Sequence, residues 1–293
     1  MTYSFAIIVI ILFSVIILLK NGKSLPRVSS DKIPYSLSGF YETEQLFYKQ
    51  SNKKKTVLVA GINNEKAEYI VLFVIDNQHK KVTPIHIKRN TLCNYYNLDA
   101  NGKIIGSITD QIKLSYSNKS DPFMALANLK DATSLLLCNT RIDYYFSMNF
   151  DAIEKLSRVI GDINITLKDD CTYIDPSYKA GTEVTVSPSN VKTLILGDEY
   201  KESAETIEQR QNDYLSSLFL ECSKRQDDQY IKNIFEEISE NSLFSSNDFV
   251  NLANEIFGYQ KQQRIELEGS LENSTFVPDK DFTEKVCIDL IYN

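Results

Sequence analysis

The sequence predicts an α/β sandwich preceded by one N-terminal transmembrane helix. Three observations predict it: a charge-free apolar start from Met1 to Leu19, strand-like and helix-like stretches that alternate from Thr56 to Leu167, and a composition suited to one large core. With 293 residues, 43% hydrophobic and 24% charged, the chain has material for one globular domain of roughly 200 to 250 residues. A net charge of −7 and a pI near 5.1 exclude the broad basic face of a nucleic-acid binder, so any anion site is local.

The opening "MTYSFAIIVIILFSVIILL" runs without a charge into Lys20. As a helix it would span roughly 28 Å, about the hydrocarbon thickness of a bilayer. A basic leading region and a small-residue cleavage site are both missing, so residues 1–22 read as a retained signal-anchor. Lys20, Lys23 and Arg27 follow it and, taken alone, place the large domain in the cytoplasm. Residues 23–54, with their Pro, Ser and Gly, read as a stalk, and the run Lys53 to Lys55 as a solvated edge.

Residues 55–222 form the expected body. "TVLVAGIN" (Thr56 to Asn63) is an apolar run for a strand buried on both faces. "YIVLFVID", Tyr69 to Asp76, leads through the turn-rich "NQHKK" into "VTPIHI", a hairpin-like return. Asp121 to Cys138 carries Phe123, Leu126, Leu129 and Thr133 near helical spacing. "IDYYFSMNF" is a strand, and "DAIEKLSRVIG" a helix with Asp151 as N-cap and Gly161 as its stop; "DINITL" supplies another strand. Residues 223–293 are expected to be a helical extension packed on the same domain. It has one stripe of Tyr230, Ile234 and Ile238, a second helix ending at Gly258, and "VCIDLIYN" as an edge strand.

Most familiar chemistries have no material here. Five widely spaced cysteines, Cys93, Cys138, Cys171, Cys222 and Cys287, make no C-x-x-C pair, and only His79 and His86 could join them in a zinc site or a Cys-His nucleophile. Buried structural thiols are the simpler reading. There is no G-x-S-x-G, P-loop, H-E-x-x-H or G-x-G-x-x-G, and Asp169 with Asp170 reads as a solvated turn. What stands out is "PIHIKRNTL", Pro84 to Leu92, where a strand ends in Lys88, Arg89, Asn90 and Thr91.

"TRIDYYFSMNFDAIEKLSRVIGDINITL", Thr140 to Leu167, resembles the strand, helix and strand signature of the LytR-CpsA-Psr family, the cell envelope-related transcriptional attenuator domain. The other pieces stand in the family's order. "VLVAGIN" occupies the place of a strand ending Gly-Val-Asp, "KAEYIVLFVI" that of Arg-Ser-Asp-Thr and an apolar strand, and "IKRNT" that of Ile-Pro-Arg-Asp-Thr. "IKLSYS" resembles the family's Lys-Ile/Leu-Asn-Ala-Ala-Tyr segment and "EQRQNDYL" its Arg-Gln-Gln helix, so the resemblance covers Thr56 to Leu220.

The resemblance implies an αβα sandwich with a central mixed sheet, in a single-pass cell-membrane protein whose domain is extracellular. That last expectation overrides the flanking-charge orientation. The resemblance also implies a phosphotransferase-type ligase that moves polyprenyl-pyrophosphate-linked glycopolymer, of teichoic acid or capsular polysaccharide type, onto peptidoglycan with Mg²⁺ support. The alternative is a catalytically weakened relative that binds a polyprenyl-linked ligand or a cell-wall assembly partner. Carried over by motif, the catalytic residues are Arg89, Arg210 and Gln211; Lys66 and Thr91 join the two arginines in substrate binding, and Glu68 and Asn63 stand at the metal positions. The carboxylates are depleted: Asn63 and Asn90 replace Asp, and Glu68 replaces another Asp. Leu196 and Asp198 stand where the family has arginines, Lys201 is the nearest cation, and Asn212 ends the Arg-Gln-Gln match. Mg²⁺ prefers carboxylates and phosphates over amide oxygens, so the metal chemistry is the part the sequence weakens.

Overall fold

In the computed structural model the described residues are 50–292 apart from 100, 102, 118–120, 150–151, 198–200, 204–205, 208, 212, 215–216, 218–220, 222–240 and 243–258. Two strands, β1 (Lys54–Asn63) and β2 (Lys66–Asp76), are apolar along nearly their whole length because both of their faces are covered. Asn64 and Glu65, at φ 47° and 59°, make the two-residue turn between them, the left-handed pair whose twist suits an antiparallel hairpin. β3 (Lys81–Ile87) returns antiparallel to β2, as the alternation of "VTPIHI" predicts. β4 (Leu92–Leu98) and β5 (Ile104–Gln111) form a separate hairpin that ends in a 3₁₀ turn, Ile112–Tyr116.

Helix α1 (Pro122–Leu136) begins with Pro at its first position and with Asp121 accepting from the Phe123 amide, two start signals in one place. It buries Leu126, Leu129 and Thr133 as the spacing predicts, whereas Phe123 is 45% exposed. β6 (Tyr144–Asn149) lies parallel to β1, and Asp143 fixes its entry by accepting from the Thr56 amide at 3.0 Å. α2 (Ala152–Ile160) stops at Gly161, φ 96°. β7 (Ile163–Thr166) pairs with β8 (Glu183–Val186) in its own ladder, outside the main sheet, and α3 (Val191–Leu196) follows. The remaining described elements are β9 (Asn241–Ser242), β10 (Gln260–Lys261), β11 (Ile265–Glu266), the hairpin β12 (Gly269–Glu272) and β13 (Thr275–Pro278), and α4 (Lys280–Cys287).

The main sheet runs β10-β3-β2-β1-β6-β9, with β11 also on β3, and mixes parallel and antiparallel pairs. Alternation along β1 sends Val57 and Val59 to one face, with α2, α3 and Phe73, and Leu58 and Ala60 to the other, with α1, α4 and Leu72. This is the αβα sandwich with a mixed sheet that the family resemblance implies.

Three expectations need correction or restriction. Among the described residues no helix is long and apolar enough to cross a membrane. α1, with 15 residues, is about 22 Å long against the roughly 30 Å of a bilayer core, and it packs on the sheet. The expected transmembrane helix, residues 1–22, lies outside the described residues together with the stalk through residue 49, so the single-pass cell-membrane localisation with an extracellular domain is not supported. "VCIDLIYN" is not an edge strand: Asp279 accepts from the Phe282 amide and starts α4, and helical backbone continues over Ile288–Tyr292. The two predicted helices around Tyr230 and before Gly258, and the Asp151 cap, also lie outside the described residues.

Candidate functional site

Strand register brings several motif residues to one end of the sheet. Asn63 and Lys66 are partners across the β1–β2 turn, and Ile70 pairs with Ile87. Two positions beyond that pair, Glu68 in β2 and Arg89 in the turn just past the end of β3 form an ion pair through Oε2 and Nη1. The Arg89 side chain is 28% exposed, so it is partly open to solvent while Glu68 orients its guanidinium. Lys66 is exposed beside this pair in β2, and Asn63 is half-buried.

The loop that carries Arg89 is held from below by the 3₁₀ turn. The Lys113 amide donates to the Arg89 carbonyl at 3.1 Å, and the Ile112 amide to the Thr91 carbonyl at 2.7 Å. Thr91 is fully buried, and its Oγ1 has no hydrogen-bond partner among the described residues. A buried hydroxyl left so is a group that an ordered water satisfies.

Sequence reasoning missed the hairpin that clasps this loop from above. Asn90 Nδ2 donates to the Ser274 carbonyl at 2.8 Å, the Phe276 amide donates to the Asn90 carbonyl at 2.9 Å, and Lys88 Nζ lies 4.4 Å from the Phe276 ring centroid. Asn90 therefore supplies what an aspartate could not, an N–H donor to a carbonyl. The local signal was present: Asn273 and Ser274 take φ 47° and 67°, a two-residue turn between the strands of "GSLENSTFVP". Asn90→Asp is expected to lower stability by about 1 kcal/mol, the worth of an ordinary hydrogen bond, and to speed amide exchange in β12–β13. Urea titration and hydrogen exchange check it, and an unchanged hairpin would show the clasp to be idle.

Arg210 and Gln211 sit in a different cluster, beside α3. Arg210 is 5% exposed, and its guanidinium donates to Glu202, to the Leu194 carbonyl and, at 3.0 Å, to Cys171 Sγ. Gln211 Nε2 donates to the Ile195 carbonyl at 2.9 Å. Gly197 is required here: its φ is 63°, and a Cβ would stand 2.7 Å from Ile207 Cγ1 and 2.8 Å from Arg210 Nη2. Burial, the largest single influence, opposes the charge on Arg210, but Glu202, Cys171 and Tyr173 together outweigh it and raise the guanidinium pKa. A recess beside this cluster is lined by Leu167, Cys171, Thr206, Gln209 and Arg210. Asn212 and Asp198 lie outside the described residues; Lys201 lies over the Tyr173 ring at 5.1 Å.

Acid-base and metal chemistry find little support at either place. Burial, followed by Arg264, pulls His86 down to about 3, so it is a neutral strand residue packed on Tyr69 with ring centroids 5.4 Å apart. Asp170 accepts from the Ala180 amide at 2.8 Å and so stabilises a turn. The donor set does not fit a resident Mg²⁺. No three His, Cys, Asp or Glu side chains converge among the described residues, Glu68 is engaged by Arg89, and Asn63 offers only an amide oxygen.

No protein-family model and no curated protein matches this chain. Solved structures do, and 24 chains match. The B. subtilis TagV crystal structure superposes with a TM-score of 0.61 at 20% identity over 82% of this chain and 96% of that one. Lin1025 of Listeria innocua gives 0.57 at 18%, over 82% and 97%. The LytR-CPS2A-psr family protein YwtF (TagT), from Bacillus subtilis and solved with bound octaprenyl pyrophosphate lipid, gives 0.55 at 17%, over 82% and 89%. At these identities the likeness establishes the fold, which is that of the LytR-CpsA-Psr family.

Proposed function

We propose that this chain, built on the LytR-CpsA-Psr fold, binds the pyrophosphate head of a polyprenyl-linked glycopolymer at the Arg89 end of its sheet, as a relative in which metal-supported transfer is weakened. One observation carries the reading. Arg89 is held by Glu68 at a solvent-reaching loop end, while the neighbouring motif positions are Asn63 and Asn90, and Asn90 is tied to the Ser274 carbonyl. The one carboxylate of this anion grip, Glu68, is engaged by Arg89, and a hard divalent cation needs carboxylates that are open to it. The likeness to a protein solved with octaprenyl pyrophosphate, and to TagT bound to LI-WTA, supports the ligand class.

In this reading Arg89 forks two phosphate oxygens, Lys66 adds a nearby cationic charge, and the fully buried Thr91 hydroxyl is linked to the ligand only through a water. Arg210 and Gln211 act as positioning residues: they fasten the end of α3, at the Leu194 and Ile195 carbonyls, to the helical residues 209–211. Titration calorimetry with octaprenyl pyrophosphate in detergent tests it. Removing a charged donor is worth roughly 1.5–3 kcal/mol, so Arg89→Ala is expected to weaken binding about tenfold or more. Unchanged affinity in Arg89→Ala, or no binding by the wild-type chain at any salt concentration, overturns the site. Release of polyprenyl phosphate from a lipid-linked glycopolymer by the wild-type chain overturns the weakened-transfer half.

A further inference from the structure

The basic run that opens β1 finds neighbours at the end of the sheet opposite Arg89. Strand pairing sets Lys54, Asp76 and Lys81 side by side, so the start of β1, the turn from Asn77 to Lys80 and the start of β3 share that end. Lys54 is consumed there, buried against Asp76, whereas Lys53, Lys80 and Lys81 are exposed. The turn that carries them is held in place. Asp76 Oδ1 accepts from the Gln78 and His79 amides at 3.0 and 2.9 Å, the Asn77 amide donates to the Lys53 carbonyl at 3.0 Å, and Lys53 Nζ donates to Gln78 Oε1 at 2.8 Å. Arg141, 54% exposed, enters at the same end, where the Thr56 hydroxyl donates to its carbonyl. The two carboxylates brought here, Asp76 and Asp143, are engaged by Lys54 and Arg141. On a chain of net charge −7, this end is a local exception that gathers exposed cations.

We propose that Lys53, Lys80 and Lys81 form a second docking surface, separate from the Arg89 site, for the phosphodiester chain of an anionic glycopolymer. The choice of polymer rests on the reading that Arg89 holds the carrier's pyrophosphate. With ten residues at about 3.4 Å each, β1 puts its Lys54 end roughly 30 Å from its Asn63 end. The pyrophosphate joins lipid to polymer, so with that head at the Arg89 end the carrier's lipid lies on that side of the molecule. The lysine end faces the other way, where a polymer chain can lead and the lipid surface does not. The side chains suit such a partner. Lysines are point charges on flexible stems that follow repeating phosphates without demanding one geometry, whereas the Arg89 fork, oriented by Glu68, suits a single defined head. Because the turn is already fixed by Asp76 and tied to Lys53, little backbone ordering opposes binding.

The test titrates labelled, lipid-free poly(glycerol phosphate) with the full chain, follows anisotropy across a range of salt, and in parallel sediments the chain with phosphatidylglycerol vesicles. Wild-type protein is expected to bind the polymer with an affinity that falls steeply as salt rises. The triple variant Lys53→Gln, Lys80→Gln, Lys81→Gln changes only exposed side chains and is expected to fold. At low salt it should bind the polymer about tenfold more weakly, as three exposed charge contacts of about 0.5 kcal/mol each require. Its slope of log affinity against log salt should be shallower by about 2, from roughly 0.7 per lost phosphate contact. Its binding to the vesicles, and to octaprenyl pyrophosphate in detergent, is expected to match the wild-type chain's. The octaprenyl pyrophosphate titration reports on the Arg89 reading and the polymer titration on this surface, so a failure of either is told apart from a failure of the other. No polymer binding by the wild-type chain, or an unchanged affinity and salt slope in the triple variant, overturns the proposal. A loss on vesicles as large as the loss on polymer also overturns it, in favour of a lipid surface.

Discussion

Arg210→Ala is expected to destabilise the domain by about 3–5 kcal/mol, the cost of leaving a buried carboxylate without its partner. Glu202 is 3% exposed on its side chain and Arg210 5%, so water cannot replace the lost guanidinium. The same substitution frees the Leu194 carbonyl and the Cys171 sulfur from their donors. Because the pair itself was taken out of water to form, its net worth is small even though breaking it is costly. A double substitution of Arg210→Met with Glu202→Leu is therefore expected to regain most of the loss, a non-additivity that marks coupled neighbours. Guanidinium titration followed by circular dichroism measures both, since the chain has no Trp and 17 Tyr residues. A single-variant loss below about 1 kcal/mol would show that the pair is open to solvent and would return Arg210 to the ligand side of the molecule.

That prediction turns on a residue whose neighbours were hidden in the sequence. The strands were legible because they are buried on both faces: "VLVAGI" and "YIVLFVI" need nothing from the rest of the chain to read as β-structure. The α1 start was legible because its cap and its proline are adjacent. The motifs separated Arg89 and Glu68 into an anion grip and a metal position; it is the β2–β3 register, running up to Ile70 and Ile87, that brings them together. Asn90 was a different problem. It read only as a lost carboxylate, because the carbonyl that makes an amide the better residue belongs to Ser274, 184 positions away. Composition misled at the C-terminus for the opposite reason: "VCIDLIYN" has β-favouring side chains, but the capping Asp279 and the packing of Val286, Cys287 and Ile291 set the backbone helical. The basic run Lys53 to Lys55 read as solvated, yet strand pairing puts Lys54 directly opposite Asp76 and buries both.

Removal of Asp76 is the other change expected to cost about 3–5 kcal/mol at neutral pH, for Lys54, 10% exposed on its side chain, would then be buried without a counter-charge. Asp76 Oδ2 accepts from Lys54 Nζ and lies 2.8 Å from His79 Nδ1, while Oδ1 accepts from the amides of Gln78 and His79 at 3.0 and 2.9 Å. Burial alone would raise this carboxyl, but the hydrogen bonds from Lys54 and His79 outweigh it and hold Asp76 well below the usual carboxylate range. The sign of the linkage follows. A depressed folded-state value means that the contribution is complete above the unfolded value of 3.8 and is lost as pH falls toward the lower folded value. Asp76→Asn should therefore differ most from the wild-type protein on a plateau above about pH 5, and the gap should narrow steadily below about pH 4. Added salt should change the gap little, because a pair enclosed between paired strands is poorly screened. Urea titrations across that pH range provide the measurement, and a wild-type advantage that stays constant down to pH 2 would mean that Asp76 acts through its shape and amide contacts rather than through its charge.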